Sequence, residues 1–334
     1  MIPQHPYDPG GRPATVVALH AAAVLLIACG SAFAQKYPLK PVKLVVPNAP
    51  GGGSDFVGRL IAEKLSRALG QQFVVENRAG AGGQLAAEYV ARAPADGYTL
   101  LLGTSSTLIT APALYRRITY NPVRDFTPVS PLASTTYLLV IHPSVPAKSV
   151  GDLVRLAKMR GSHLNYASTG PGSPAHLAGE LFKSMAGIDA VHVPYKGSSP
   201  GTLSVVQGET DLMFGNILPS VPLIEAGRLR ALGITSLARA SLMPEVPTLD
   251  ESGLRGFEVQ QFYSVLAPAG AAGDIVEKLH HEIASVMQAA DTRKRLSADG
   301  SEVMLSTPDE LGKLIVQQIA KWSKVIREAG IKPE

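Results

Sequence analysis

Gly51-Gly52-Gly53-Ser54 and Gly170-Pro171-Gly172-Ser173 are two turns of nearly the same composition, each lying between a short strand-like run and a segment of helical length. Glycines let a ligand approach the main chain, and the first N–H groups of a following helix, at the positive end of its dipole, favour a carboxylate or phosphate. Neither turn contains a lysine or arginine. The chemistry to expect is capture of an anion by backbone and hydroxyl donors.

Several side chains near these turns have two readings. Asp55, in the first turn of a helix, gains about 0.3 to 1 kcal/mol from the dipole, and the same position could contact a ligand amine or hydroxyl. Ser54 and Ser173 could be N-caps worth about 1 kcal/mol each, or ligand donors. His176 could donate to an anion or simply pack one turn into its helix. Tyr195, followed by Lys196 at a strand end, could close over a ligand or fill core. Other chemistries lack their residues. His280 and His281 are adjacent and point about 100° apart on a helix, and no metal-binding motif occurs, so no metal is expected. Gly80-Ala81-Gly82-Gly83 lacks the full dinucleotide spacing and there is no Walker Gly-Lys-Ser/Thr, so no cofactor is expected either. A periplasmic carboxylate-ester hydrolase is the enzymatic alternative, but no serine sits in a Gly-x-Ser-x-Gly frame.

The elements that must position these turns read as α/β with largely parallel sheets. Strands are expected at Val42–Val46, Gln72–Glu76, Tyr98–Leu102, Tyr137–Ile141, Leu164–Ala167, Val191–Pro194, Asp211–Phe214, Leu229–Ile234 and Tyr263–Ala267. Helices are expected over about 54–69, 84–92, 149–160, 174–186, 199–208 and 219–226, with glycine caps at Gly70, Gly187 and Gly227. Two longer helices follow, Gly273–Ala290 and Pro308–Ala329. The second opens with the capping box Thr307-Pro308-Asp309-Glu310, and Trp322 lies on its apolar face. Leu242–Gly253 and Asn121–Pro131 read as the crossings between two lobes, one of 36–136 plus 240–334 and one of 137–239. The cleft between them would receive one glycine turn from each side.

Composition sets the compartment more than the chemistry. The 334 residues are 46% apolar and 17% charged, with a net charge of +4 that Asp8 and Arg12 leave unchanged when residues 1–34 are removed. Dispersed Lys and Arg give no nucleic-acid footprint. Residues 1–34 read as a signal peptide: Arg12, an apolar run from Ala14 to Ala28 too short to span a bilayer, and Ala32-Phe33-Ala34 before Gln35. Leu26-Ile27-Ala28-Cys29-Gly30 offers a second reading, a lipobox that would anchor the protein by lipidation of Cys29, its single cysteine.

An ordered set of motifs covers residues 38–332. It comprises Pro47-Asn48-Ala49-Pro50-Gly51-Gly52-Gly53-Ser54-Asp55, Glu76-Asn77-Arg78-Ala79-Gly80, Asp96-Gly97-Tyr98-Thr99-Leu100, Gly172-Ser173-Pro174-Ala175-His176-Leu177, His192-Val193-Pro194-Tyr195-Lys196-Gly197, Pro244-Glu245-Val246-Pro247-Thr248 and Ala267-Pro268-Ala269-Gly270. Together they resemble the Bug family, extracytoplasmic solute receptors of tripartite tricarboxylate transporters. The resemblance implies a type 2 periplasmic-binding-protein fold, two α/β lobes closing at a hinge on a small carboxylate (dicarboxylate, tricarboxylate, amino acid or aromatic acid). It implies a periplasmic monomer, with the large and small membrane subunits of the transporter as partners. A receptor serving a sensor kinase is the alternative within this class. Carried over to this sequence, the contacts of the first lobe are Gly52, Gly53, Ser54 and Asp55, and those of the second are Ser168, Thr169, Gly170, Gly172 and Ser173. Thr104, Ser105 and Ser106 form a third wall. Two positions depart from the family: Asn48 replaces the usual aromatic of the first loop, and Phe262 is expected to stand in for a tryptophan before Ala-Pro-Ala-Gly.

Overall fold

The structure, a computed structural model, describes residues 1, 3, 37–115, 117–159, 163–195 and 197–331. Cys29, Lys196 and all but residues 1 and 3 of the expected signal peptide lie outside the described residues. Met1–Leu39 and Lys40–Glu334 are separate compact units, and every strand and helix named below belongs to the second.

In chain order the elements are β1 (Val42–Val46), α1 (Gly53–Leu69), β2 (Phe73–Asn77), α2 (Gln84–Ala91), β3 (Thr99–Thr104), a π-helical turn (Ser106–Thr110) running into α3 (Ala111–Leu114), and β4 (Phe126–Ile141). Then come α4 (Val150–Lys158), β5 (Asn165–Ser168), α5 (Pro174–Ala186), β6 (Val191–Pro194), α6 (Ser198–Gln207), β7 (Leu212–Asn216), α7 (Ile217–Glu225) and β8 (Arg230–Ile234). The chain closes with β9 (Gln260–Pro268), α8 (Gly273–Gln288), α9 (Ala290–Ala298), β10 (Ser301–Val303) and α10 (Pro308–Glu328). Among the described residues no helix is long and apolar enough to cross a membrane.

Local signals account for most of these boundaries. β1, Val-Lys-Leu-Val-Val, is β-branched and almost wholly buried, as a strand covered on both faces should be. α1 and α5 stop where Gly70 and Gly187 take left-handed backbone at φ 67° and 61°. The capping box of α10 forms as expected, and Trp322 packs in the core with its indole N–H donated to Gln318.

Three expectations need correction. The sheet is mixed, in the order β2-β1-β3-β9-β4-β7-β5-β6, with β8 and β10 also paired to β4. Its outer parts are parallel, but β9 runs antiparallel to β3 and β4, and β7 and β8 antiparallel to β4. Asn121–Pro131 is not a crossing loop, because β4 begins at Phe126 and runs through Pro128 and Pro131. Those prolines fit a strand because the register against β9 shifts beside each, between Pro128 and Ser130 and between Pro131 and Ala133, sparing the ladder a missing N–H. The helix expected over Gly273–Ala290 ends at Gln288, and α9, missed in the sequence, follows it.

β4 organises the whole sheet. Through Thr136 it pairs with β9 and β10, and from Tyr137 onward with β7 and β8. Residues 235–259 stay with the second half: Thr235 N–H donates to Tyr137 O, Leu249 N–H to Ile234 O and Val259 N–H to Thr235 O, each at 2.9 Å. The Leu242–Gly253 segment therefore packs along β8, and the chain returns to the first half in β9.

Candidate functional site

Where β4 changes partners, a cavity of about 340 Å³ opens. The first half of the sheet contributes Asn48, Gly53 and Ser54 from the β1–α1 loop, Thr104 and Ser106 after β3, Gln261 and Tyr263 from β9, and Asp299 and Gly300 from the α9–β10 turn. β4 itself contributes Thr135 and Tyr137, and the second half supplies Pro174 and the segment Asn216–Pro219. A second space of about 140 Å³ shares Tyr137, Pro174 and Asn216 and reaches Thr169, Ala175 and Ser198.

The first glycine turn presents bare helix donors. Gly52 occupies the cap position of α1 at φ −90° and ψ 172°, and no side chain caps the helix. The opening N–H groups of α1, which a cap would otherwise cover, belong to the stretch that lines the cavity at Gly53 and Ser54. Ser54 is thus the second helical residue and not the cap, and its hydroxyl donates to Asn48 Oδ1 at 2.8 Å. A Cβ on Gly53 would stand 2.9 Å from the Tyr263 hydroxyl oxygen, so that hydroxyl lies directly against the main chain of the helix start.

Asp55, expected as a possible contact, braces the loop from behind and does not line the cavity. One carboxylate oxygen accepts from Arg59 Nε at 2.9 Å and Gly51 N–H at 3.0 Å, and the other from Asn77 Nδ2 at 2.9 Å. Arg59 above all, with Gly51 and Asn77, holds its carboxyl at about 2 against the opposing effect of burial. Asn77 also donates to Asn48 O at 2.9 Å, so one buried acid fixes the turn that carries the open donors.

The second glycine turn is tied down by histidines. Ser173 caps α5, accepting from His176 N–H at 3.2 Å and donating to Gly170 O at 2.7 Å. Gly172 N–H donates to His176 Nδ1 at 2.9 Å. His176 is buried and stacks on His192 with centroids 3.9 Å apart, and the Ser168 hydroxyl meets His192 Nε2 at 2.6 Å while accepting from Gly170 N–H at 3.1 Å. The Ser168 and Ser173 hydroxyls and the Gly170 and Gly172 N–H groups are thus taken up by the loop and its two histidines. Thr169 and the start of α5 at Pro174 and Ala175 are what this side brings to the two spaces.

Burial lowers the His176 pKa from 6.5 to about 4, with His192 beside it acting in the same direction, and burial lowers His192 as well. Between those values the unfolded chain binds a proton that the folded chain refuses, so stability is full above pH 6.5 and declines as pH falls toward 4. At about 1.36 kcal/mol per pKa unit the full loss from His176 is about 3 kcal/mol. Urea midpoints of the wild type should fall over that window. His176→Asn, which retains an acceptor for Gly172 without titrating there, should flatten the dependence, and an unchanged slope would refute the account.

Other expected residues divide in the same way. Thr104 is buried at the cavity edge, its hydroxyl and N–H both bonded to Thr107, and Ser106 opens the π-helical turn against the cavity. Ser105 instead accepts from Phe262 N–H at 2.9 Å and ties β3 to β9. Tyr195 packs against the hydrophobic core and lines neither space. Phe262 is also core: alternation along β9 turns Gln261 and Tyr263 to the cavity and Phe262 to the other face. Thr135, Tyr137, Asn216, Tyr263 and Asp299 escaped the sequence reading. No local motif marks them, and only the parity of β9 could have pointed to Tyr263.

The walls are polar and nearly uncharged. Among its described lining residues the cavity has no Lys, Arg or His, and the one acidic side chain is Asp299. Burial pushes the Tyr263 hydroxyl up to about 12 and the Tyr137 hydroxyl higher still, so both stay protonated and able to donate near neutrality. Such a site offers helix N–H groups, two phenols, amides and hydroxyls, a donor set suited to an anion held without a counter-ion.

The chain is similar to known proteins over most of its length. Residues 57–331 match the family described as "Tripartite tricarboxylate transporter family receptor". Protein BugT of Bordetella pertussis (strain Tohama I) is 35% identical over 300 residues, covering 90% of this chain and 92% of BugT. Among solved structures, Rpa4515 of R. palustris with adipate is 39% identical at a TM-score of 0.76, covering 89% of this chain and all of that one. MatC (Rpa3494) from Rhodopseudomonas palustris with bound malate is 34% identical at a TM-score of 0.71, covering 87% and 100%. With this match across most of its length and the two-lobed α/β architecture of periplasmic binding proteins, the chain belongs to the Bug family of tripartite tricarboxylate transporter receptors.

Proposed function

We propose that this receptor captures a small organic carboxylate in the cavity at the β4 partner change and delivers it to the large and small membrane subunits of a tripartite transporter. The observation that carries the reading is the uncapped start of α1, which opens on a polar cavity with no cationic side chain among its described lining residues. The two lobes meet at Thr136/Tyr137 in β4 and at the start of β9, so closure brings Thr169 and Asn216 toward the first glycine turn. Residues 1–34 serve as the export signal that delivers the chain to the periplasm.

Charge-assisted hydrogen bonds of about 1.5 to 3 kcal/mol each make micromolar affinity attainable, since it requires about 8 kcal/mol net. Adipate and malate, the ligands of two relatives, are the first candidates, followed by tricarboxylates, amino acids and aromatic acids. At 100 times its dissociation constant a ligand should stabilise the mature protein by about 2.7 kcal/mol, seen as a rise in melting temperature. A panel of these acids in which none raises it would refute carboxylate capture. Ligand uptake by vesicles containing the membrane subunits, dependent on added receptor, would test delivery.

A further inference from the structure

One carboxylate stands among the neutral walls. Asp299 lines the cavity from the turn between α9 and β10. Its nearest hydrogen-bonding neighbour is the Ser301 hydroxyl, at a long 3.5 Å, and among the described residues no Lys, Arg or His comes within ion-pair distance. Burial holds its carboxyl above the ordinary range, with the Ser301 contact opposing. Half-buried at the cavity wall, the carboxylate has no cationic partner and keeps room to accept from a ligand.

The turn that carries it is held on both sides. β10 pairs with β4, and Ser301 meets the Thr135 hydroxyl at 2.9 Å. Gly300, at φ 77°, lies against the start of α7, where a Cβ would stand 3.7 Å from Leu218 Cβ. Tyr263 bridges toward the helix donors: its hydroxyl lies against Gly53, and the Asp299 charge raises its pKa. The cavity thus has an anion-binding end at α1 and a cation-seeking group elsewhere on its wall. A second carboxylate brought to Asp299 would meet like charge unless one of the two took up a proton, whereas an ammonium would form a charge-assisted pair with it.

We infer that Asp299 is a specificity residue that pairs with a protonated amine on the ligand, remote from its carboxylate, so that the receptor selects amino carboxylates over dicarboxylates of matching length. This rests on the carboxylate reading of the cavity given above.

Calorimetry of the mature protein tests it with two matched pairs, γ-aminobutyrate against glutarate and δ-aminovalerate against adipate. In at least one pair the amino acid should bind the wild type at least ~10-fold more tightly than the dicarboxylate, the scale of one close charge pair. Asp299→Asn, which keeps the shape and removes the charge, should lower that affinity at least ~10-fold and raise that of the dicarboxylate. Dicarboxylates bound as tightly as the amino acids, with both indifferent to Asp299→Asn, would overturn the role of Asp299 and leave carboxylate capture standing. If neither series binds while another carboxylate does, the inference fails alone. If no carboxylate of any kind binds, it falls together with the proposed function.

Discussion

Gly53→Val should reduce affinity for the carboxylate that best stabilises the wild type by at least about 100-fold, or ~2.7 kcal/mol, while the protein stays folded. The backbone at Gly53 is not left-handed, so the substitution does not strain it. What it does is fill the space over the α1 donors. The new Cβ falls 2.9 Å from the Tyr263 hydroxyl oxygen, and the two γ-methyls extend further over the helix start. A double-mutant cycle separates this steric cause from a general loosening. Without the hydroxyl, the nearest tyrosine atom is the ring Cζ at 3.9 Å, ordinary van der Waals contact. Tyr263→Phe should therefore recover part of the affinity lost in Gly53→Ala, although it removes a donor of its own. Additive losses in calorimetry would show that the hydroxyl contact is not what makes position 53 sensitive.

Gly172→Val should cost both stability and binding, for two independent reasons. Gly172 has φ 70°, a conformation that charges a residue with a side chain about 1 to 2 kcal/mol. In addition, its Cβ would lie 2.5 Å from Leu114 Cδ1, a buried side chain of α3 on the first half of the sheet. Relieving that overlap costs about 1 to 3 kcal/mol and pushes the second glycine turn away from the first half, against lobe closure. A combined loss of ~3 kcal/mol should lower the melting temperature by at least about 6 °C. Gly172→Ala with Leu114→Ala relieves the overlap but not the backbone strain, so binding should recover more than stability. Wild-type affinity in Gly172→Val would remove the second turn from the site.

Both substitutions fall on residues that the sequence exposes plainly, and the reason is physical. A strand followed by glycines and a helix is a local pattern, written in residues a few positions apart, and so are the strand ends at Val46 and Pro194, the Ser173 cap and the Thr307–Glu310 box. The periodicity that locates a strand does not say which neighbours it pairs with. That is why β9 reads as one more strand of a largely parallel sheet, and why Pro128 and Pro131 read as a loop although register shifts let β4 carry them.

Side-chain roles were less legible still, because they depend on partners far along the chain. Asp55 reads equally as a helix-start acid or a ligand contact, and only the fold shows Gly51, Arg59 and Asn77 on its oxygens. His176 reads as an isolated histidine until folding stacks it on His192 and turns its Nδ1 to Gly172. Phe262 and Tyr263 are adjacent aromatics in a strand buried along most of its length, so composition does not reveal which one faces the cavity, and the pleat awards it to Tyr263. By itself, then, the sequence determined the family, the α/β elements and the two glycine turns, since each is encoded in short-range patterning. Only the tertiary structure decided which of those residues line the cavity and which brace the loops, and it alone brought Thr135, Asn216 and Asp299 to one cavity, because a cavity wall is made by strand pairing across the whole chain.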